Sequence, residues 1–224
     1  VQARFIFYFH NDPLSMKGSK TVIERLKLLN NVERIIFVSE WTRKRFLNGI
    51  DDKLQIKTEV VYPSVRKQNI TNKIKIITFV GKLNESKFYD IFKEAVIKIL
   101  KIYPNWRAIS IGEEERRSIY IKHKNHTELG FLNHKKTLNI LNQSEIGVVP
   151  SRWEEPFGRT ALEASSRGCA TIISDRGGLK ETTDEAIILK KLDVRNLFNV
   201  IKKLINNPKL RKKIQNRSLK NVKH

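Results

Sequence analysis

Two carboxylates, Glu155 and Glu163, stand eight residues apart in the run Glu-Pro-Phe-Gly-Arg-Thr-Ala-Leu-Glu. Acidic side chains in a pair can attack and protonate a glycosidic bond, as in double-displacement glycosidases. They can also simply accept hydrogen bonds from a ligand's hydroxyls. The surrounding pattern favours the second role. Ile146-Gly147-Val148-Val149 is a short apolar run suited to a buried parallel strand. Pro150-Ser151-Arg152-Trp153-Glu154 cannot continue a central strand, and a helical pattern with Ala161, Leu162, Ala164 and Ser165 begins at Gly158. A second apolar strand, Cys169 to Ile173, follows, and Arg176 to Glu181 closes a βαβ unit. Glu155 then lies on the loop at the strands' carboxyl ends, while Glu163 lies more than a turn into the helix. Between them the amides of Phe157, Gly158 and Arg159 form a helix N-terminus, where unpaired N–H groups and the helix dipole attract phosphate. Hydroxyls, diphosphate, hydroxyls is the layout of a nucleotide sugar. The plain alternative is a helix start with ordinary acidic residues in its first turns.

The stretch Val149 to Glu181 resembles the donor-binding core of the family-4 retaining glycosyltransferases, which have the GT-B fold. The wording Glu155 to Ala164 is most similar to members that build lipopolysaccharide and related surface glycans. The resemblance implies that Glu155 binds hydroxyls of the donor sugar and Glu163 the ribose. It also implies donor contacts at Gly81, Phe157, Gly158, Arg159, Thr160 and Leu162. In that family the leaving phosphate assists deprotonation of the acceptor, so no protein base is implied; no metal or other cofactor is expected.

Other elements must position this chemistry. Residues 74–80 form an apolar strand followed by the loop Gly81-Lys82-Leu83-Asn84-Glu85-Ser86-Lys87. Phe88, Ile91, Phe92, Ala95, Val96, Ile99 and Leu100 then recur at helical spacing until Pro104. Lys82 and Lys87 flank a loop at a strand's carboxyl end, where cations can meet a diphosphate. The family usually has Arg at the first of these positions; Lys82 supplies a point charge instead of a planar fork. Alternatively, both are solvated lysines among 44 basic residues. A strand from Trp106 to Ile111 and a helix from His134 to Leu141 flank Glu128-Leu129-Gly130-Phe131-Leu132. That segment resembles the one whose backbone contacts the nucleotide base, which places Phe131 and Leu132 in the donor site without naming the base.

Composition sets the outer limits. The chain has 224 residues, 40% hydrophobic, enough for one large or two small domains. Its single Cys169 rules out an intramolecular disulfide and reads as a small buried residue. No apolar run reaches the ~18–20 residues of a spanning helix. The five histidines are dispersed; His123 and His126 could share a helical face, but nothing nearby completes a metal site. A formal charge of +21 suits attraction to an anionic membrane surface, or reflects a general Lys and Asn bias. No aromatic platform is interleaved with the basic clusters, so nucleic acid is not expected as a partner.

The N-terminal region reads as strand 5–9, helix 19–29, strand 34–38, helix 40–48 and strand 56–62. Pro63 and the polar stretch Arg66 to Lys73 mark the boundary. The expected class is α/β. Residues 67–224 form a Rossmann-like parallel sheet with helices on both faces, the donor domain. Residues 1–66 are the remnant of a second, acceptor-side Rossmann-like domain that lacks its first half. Strand 3–9 would then carry an unpaired edge prone to self-pairing. The resemblance implies that His10, in the loop His10-Asn11-Asp12-Pro13, faces the donor sugar across the interdomain cleft. A turn histidine with no role is the competing reading.

The expected activity is transfer of a sugar from a nucleotide-diphosphate sugar to a hydroxyl acceptor, a glycan or glycolipid, with retention at the anomeric carbon. Lys82, Lys87 and the helix tip would stabilise the departing diphosphate. The expected location is cytoplasmic, or peripheral on the membrane's inner face. A non-catalytic nucleotide-sugar binding module is the main alternative, a basic nucleic-acid-binding protein suggested only by charge is the weaker one, and an inactive fragment that keeps donor binding falls between enzyme and module. Donor base, donor sugar and acceptor are not legible.

Overall fold

The computed structural model describes residues 4–51, 53, 57–66, 72–116 and 119–220. Its strands make two parallel sheets. The first has three strands in the order β1 (Ile6–Phe9), β2 (Arg34–Phe37), β3 (Thr58–Val60). Two helices, α1 (Val22–Asn31) and α2 (Glu40–Leu47), connect them. Thr21 and Glu24 cap α1 reciprocally, so that helix starts three residues beyond the expected position 19 and runs to Asn31. Phe9, Leu29, Ile35, Phe37, Phe46 and Ile50 form this unit's core. The expected strand 56–62 is trimmed to three residues; position 56 lies outside the described residues. β1 is an edge strand, and Phe5, Ile6, Phe7 and Tyr8 are exposed along it.

The second sheet has six parallel strands in the order β6-β5-β4-β7-β8-β9. They are β4 (Ile74–Val80), β5 (Arg107–Ile111), β6 (His126–Glu128), β7 (Ser144–Val149), β8 (Ala170–Ser174) and β9 (Ile187–Leu189). β4 and β7 sit at the centre, so the chain reverses direction between them, and a parallel sheet opens a crevice at the carboxyl ends of such a pair. The apolar face of α3 (Tyr89–Ile102) packs on α6 (Val194–Asn206) and on the sheet, around Ile77, Phe79, Phe92, Val96, Ile99 and Ile172. Phe88, expected as the first member of that face, is instead a left-handed cap with φ 68°. α4 (His134–Gln143) buries Leu141, and α5 (Arg159–Ser166) buries six of its eight residues. α7 (Pro208–Lys220) packs against α5, α6 and β8.

His123 and His126 do not share a helix. His126 opens β6, and burial pulls its pKa below the usual imidazole value. Its Nδ1 lies 3.2 Å from the Ile121 carbonyl and its Nε2 2.9 Å from the Ser110 hydroxyl. A carbonyl only accepts, so Nδ1–H donates there and Nε2 accepts from Ser110. Cys169 is fully buried just ahead of β8, its thiol turned towards the Leu141 carbonyl. No helix among the described residues is long and apolar enough to cross a membrane.

Candidate functional site

A cleft of ≈ 330 Å³ opens where the carboxyl ends of β4 and β7 face the loop after β1. His10, Gly81, Lys87, Glu155, Gly158 and Arg159 all line it, together with Phe157 and Thr160. These residues come from both sheets and are up to 150 positions apart in the chain (10 to 160).

The Glu155 loop is held from three sides. Ser151 exchanges hydrogen bonds with the Ser174 hydroxyl at the end of β8, at 2.8 Å each. Glu154 accepts from the Gly177 amide at 2.6 Å and from Arg176 at 3.1 Å. The Gly178 amide donates to the Glu155 carbonyl at 2.7 Å. A side chain at Gly177 would collide with the Glu155 backbone, which explains the Gly-Gly pair in the 3-10 helix Gly177–Thr182. Gly158 is the N-cap of α5 at φ 93°, so the helix begins at Arg159 and its first amides point away from the helix body. A Cβ at Gly158 would meet the Leu179 side chain.

The third support comes from the N-terminal sheet. Ser39, the N-cap of α2, donates to the Pro156 carbonyl at 2.5 Å. Glu181 accepts from the Glu40 and Trp41 amides at 2.7 and 2.8 Å, so its carboxylate sits on the N-terminus of α2, where the dipole favours it. Tyr62 donates to the same carboxylate at 3.0 Å, and its ring lies 5.9 Å from Phe157. Burial, then the Glu181 charge, pushes the Tyr62 hydroxyl up to about 12. These contacts form a clamp between the two sheets, directly behind the Glu155 loop.

Lys87 ends a 3-10 turn capped by Asn84, and its ammonium pairs with Oε1 of Glu155 inside the cleft. Glu155 is therefore engaged by the cation expected to meet the diphosphate. His10 lines the opposite wall. Its loop is fixed by Asp12, which caps the turn at Pro13 and accepts from Arg45 Nε at 2.6 Å.

Five expected residues lie elsewhere. Lys82 lines the neighbouring hollow with Ile111, Gly112, Glu113, Phe131, Leu132 and Thr137; the hollow shares Val80 and Gly81 with the cleft. Phe131 and Leu132 form a wall of that hollow, with the Phe131 ring 76% exposed. Leu162 is fully buried against Phe157 and Val38, because its place on α5 faces the seam between the sheets, and its side chain belongs to the core. Glu163 is 6% exposed, and its Oε1 accepts from His134 Nε2 at 2.9 Å and Arg159 Nε at 3.0 Å. Arg152, in the same loop as Glu155, forms a bidentate pair with Asp90 at 2.7 and 2.8 Å. Ser39, Tyr62, Glu181 and His134 carried no local signal, since their partners lie 29 to 141 residues away.

Two layers of Rossmann-like parallel sheet meeting at a crevice define a protein of the GT-B fold class. Residues 63–221 match the model for glycosyl transferases group 1, and the chain belongs to that family. Among its relatives, spore coat protein SA of Bacillus subtilis is 31% identical over 50% of this chain and 33% of that protein. YtcC of the same organism is 22% identical over 99% of this chain and 62% of its own length. The chain thus spans between a third and two thirds of these relatives. Solved structures share the fold at low identity. HepE of Anabaena, solved with UDP-glucose, superposes with a TM-score of 0.77 at 16% identity over 97% of this chain and 66% of that one. Sucrose-phosphate synthase of Thermosynechococcus elongatus gives 0.74 at 18% identity over 97% and 62%.

Proposed function

We propose that the cleft binds a nucleotide-diphosphate sugar, and that the enzyme moves the sugar to a hydroxyl acceptor with retention at the anomeric carbon. One observation carries this reading: His10, Lys87, Glu155 and the first amides of α5 converge on a single opening. In it the diphosphate lies on the α5 tip and draws Lys87 away from Glu155, leaving that carboxylate to accept from the sugar's hydroxyls. Lys87 and the amides then stabilise the charge that grows on the departing diphosphate. His10 faces the transferred sugar. The ribose reaches Glu163, and the base enters the adjoining hollow beside Phe131 and Leu132. HepE, with the same fold, was solved with UDP and with UDP-glucose, which supports a nucleotide-sugar donor. No metal enters this scheme.

The acceptor in this reading is a glycan or glycolipid of the cell envelope, made on the cytoplasmic side. The α6–α7 face suits an anionic membrane surface. Lys190, Lys191, Arg195, Lys202, Lys203, Lys209, Lys212, Lys213, Arg217 and Lys220 are exposed there, and Asp193 is the one acidic residue from 190 to 220. The first 66 residues belong to the acceptor-side domain and the rest to the donor domain. Donor binding is tested by thermal shift with UDP, GDP, ADP and their glucose conjugates. A rise in melting temperature with at least one of them, reduced in Glu163→Ala, is the expected result. No response to any of them would refute the proposal.

A further inference from the structure

Glu163 is nearly enclosed, yet the two groups that hold it are exposed: the His134 side chain is 55% and the Arg159 side chain 66% accessible. Both donate to the same oxygen, Oε1. Oε2 has no donor among the described residues. A carboxylate turns easily about its last torsion, which is broad and twofold. Two donors on one oxygen remove that freedom and leave the other oxygen fixed and open. Arg159 reaches Glu163 from one turn earlier in the same helix, an ordinary i,i+4 pair. His134 comes from a different element. It is the first residue of α4, placed by Asn133, whose side chain caps that helix through the Lys136 amide at 3.0 Å. The preceding loop is pinned by the Phe131 amide on Glu113 at 2.7 Å and by the Gly112 amide on the Gly130 carbonyl at 2.9 Å. His134 therefore ties the wall of the Phe131 hollow to the acid on α5.

We propose that His134 is a positioning residue for the donor nucleoside: it locks the Glu163 carboxylate so that Oε2 accepts from the ribose hydroxyls. This rests on the assignment of Glu163 to the ribose, and it deepens that reading with a residue outside the motif. The imidazole touches no reacting atom. Its Nε2–H bond to Glu163 sets the acid's orientation, and the loop that carries it also borders the base hollow, so ribose and base are registered against one another.

The test is isothermal titration of the full 224-residue chain with UDP, GDP and ADP and with their 2′,3′-dideoxy counterparts. His134→Ala is expected to weaken the ribonucleotide about five- to tenfold, the worth of one charge-assisted hydrogen bond, and the dideoxy form hardly at all. His134→Gln, which keeps an N–H donor at similar reach, is expected to restore most of the loss. The histidine is surface-exposed, so both variants keep the core intact. Three results would overturn the proposal. Equal losses for ribo and dideoxy nucleotides would make the role merely structural. Unchanged affinity in His134→Ala beside a weakened Glu163→Ala would remove His134 alone. Absence of nucleotide binding by the parent would remove the ribose assignment together with it.

Discussion

Lys87 and Glu155 neutralise one another in the unliganded cleft, and this sets what each can be asked to do. Neither could sit alone against a half-buried wall without cost, and together they leave the cleft close to neutral until an anion arrives. Replacing Lys87 by Ala should weaken a nucleoside diphosphate roughly ten- to a hundredfold, as expected for a lost charge-assisted contact. Lys82→Ala should change that affinity by less than about threefold, because Lys82 faces the other hollow and acts only as a distant charge. A titration of both variants with the same nucleotide separates them; a larger effect at Lys82 would move the diphosphate out of the cleft. At this scale the sequence was informative but incomplete. Residue type and spacing picked out Glu155, Gly158 and Lys87, since each does something a helix start or strand end requires. Leu162 is expected at the donor because the motif runs continuously through it, whereas the direction of its side chain depends on the N-terminal sheet packed behind. Leu162→Ala should accordingly cost about 2–5 kcal/mol in urea unfolding, the range for emptying a sealed apolar site.

The elements most legible in the sequence are those with strong periodicity and sharp stops. β4 matches the expected residues 74–80, and α3 carries the expected apolar face up to the residues before Pro104. The polar helix tip at Gly158 was legible as well, although the structure adds a reason the sequence could not hold: Leu179 fills the space a side chain would need. Gly158→Ala combines that clash with a left-handed backbone, and should destabilise the protein by about 1–3 kcal/mol and reduce diphosphate binding. Unchanged urea unfolding would contradict the packing described. The two C-terminal helices carry no helix expectation from the sequence. Their apolar positions, such as Leu197, Ile201 and Leu204 in α6, are diluted by lysines, and their burial depends on α3 and β8 lying ready to receive them.

Across the whole molecule, stability should depend on pH through His126. Burial depresses its folded pKa below the unfolded value of 6.5, so the unfolded chain binds the proton first as pH falls. The stabilisation is in place above about pH 6.5 and is lost as pH falls from there through the lower folded value. Melting temperatures measured between pH 8 and pH 5 should decline, and His126→Gln should flatten part of that slope; an identical slope in the variant would remove His126 as the cause. Long-range organisation is also where the sequence was silent. Glu181 and Tyr62 are 119 residues apart, and only the assembled fold makes them neighbours. Glu181→Gln places an amide N–H₂ against groups that already donate, and should lower stability by about 1–3 kcal/mol and slacken nucleotide binding in parallel. The same clamp limits how freely such enzymes can be recombined. Grafting residues 67–220 onto a foreign partner would require transplanting Ser39, the opening turn of α2 and Tyr62 with them. A hybrid spliced neatly at Pro63 would keep the motif residues from Gly81 to Glu163 and still leave the Glu155 loop on an unbraced shelf.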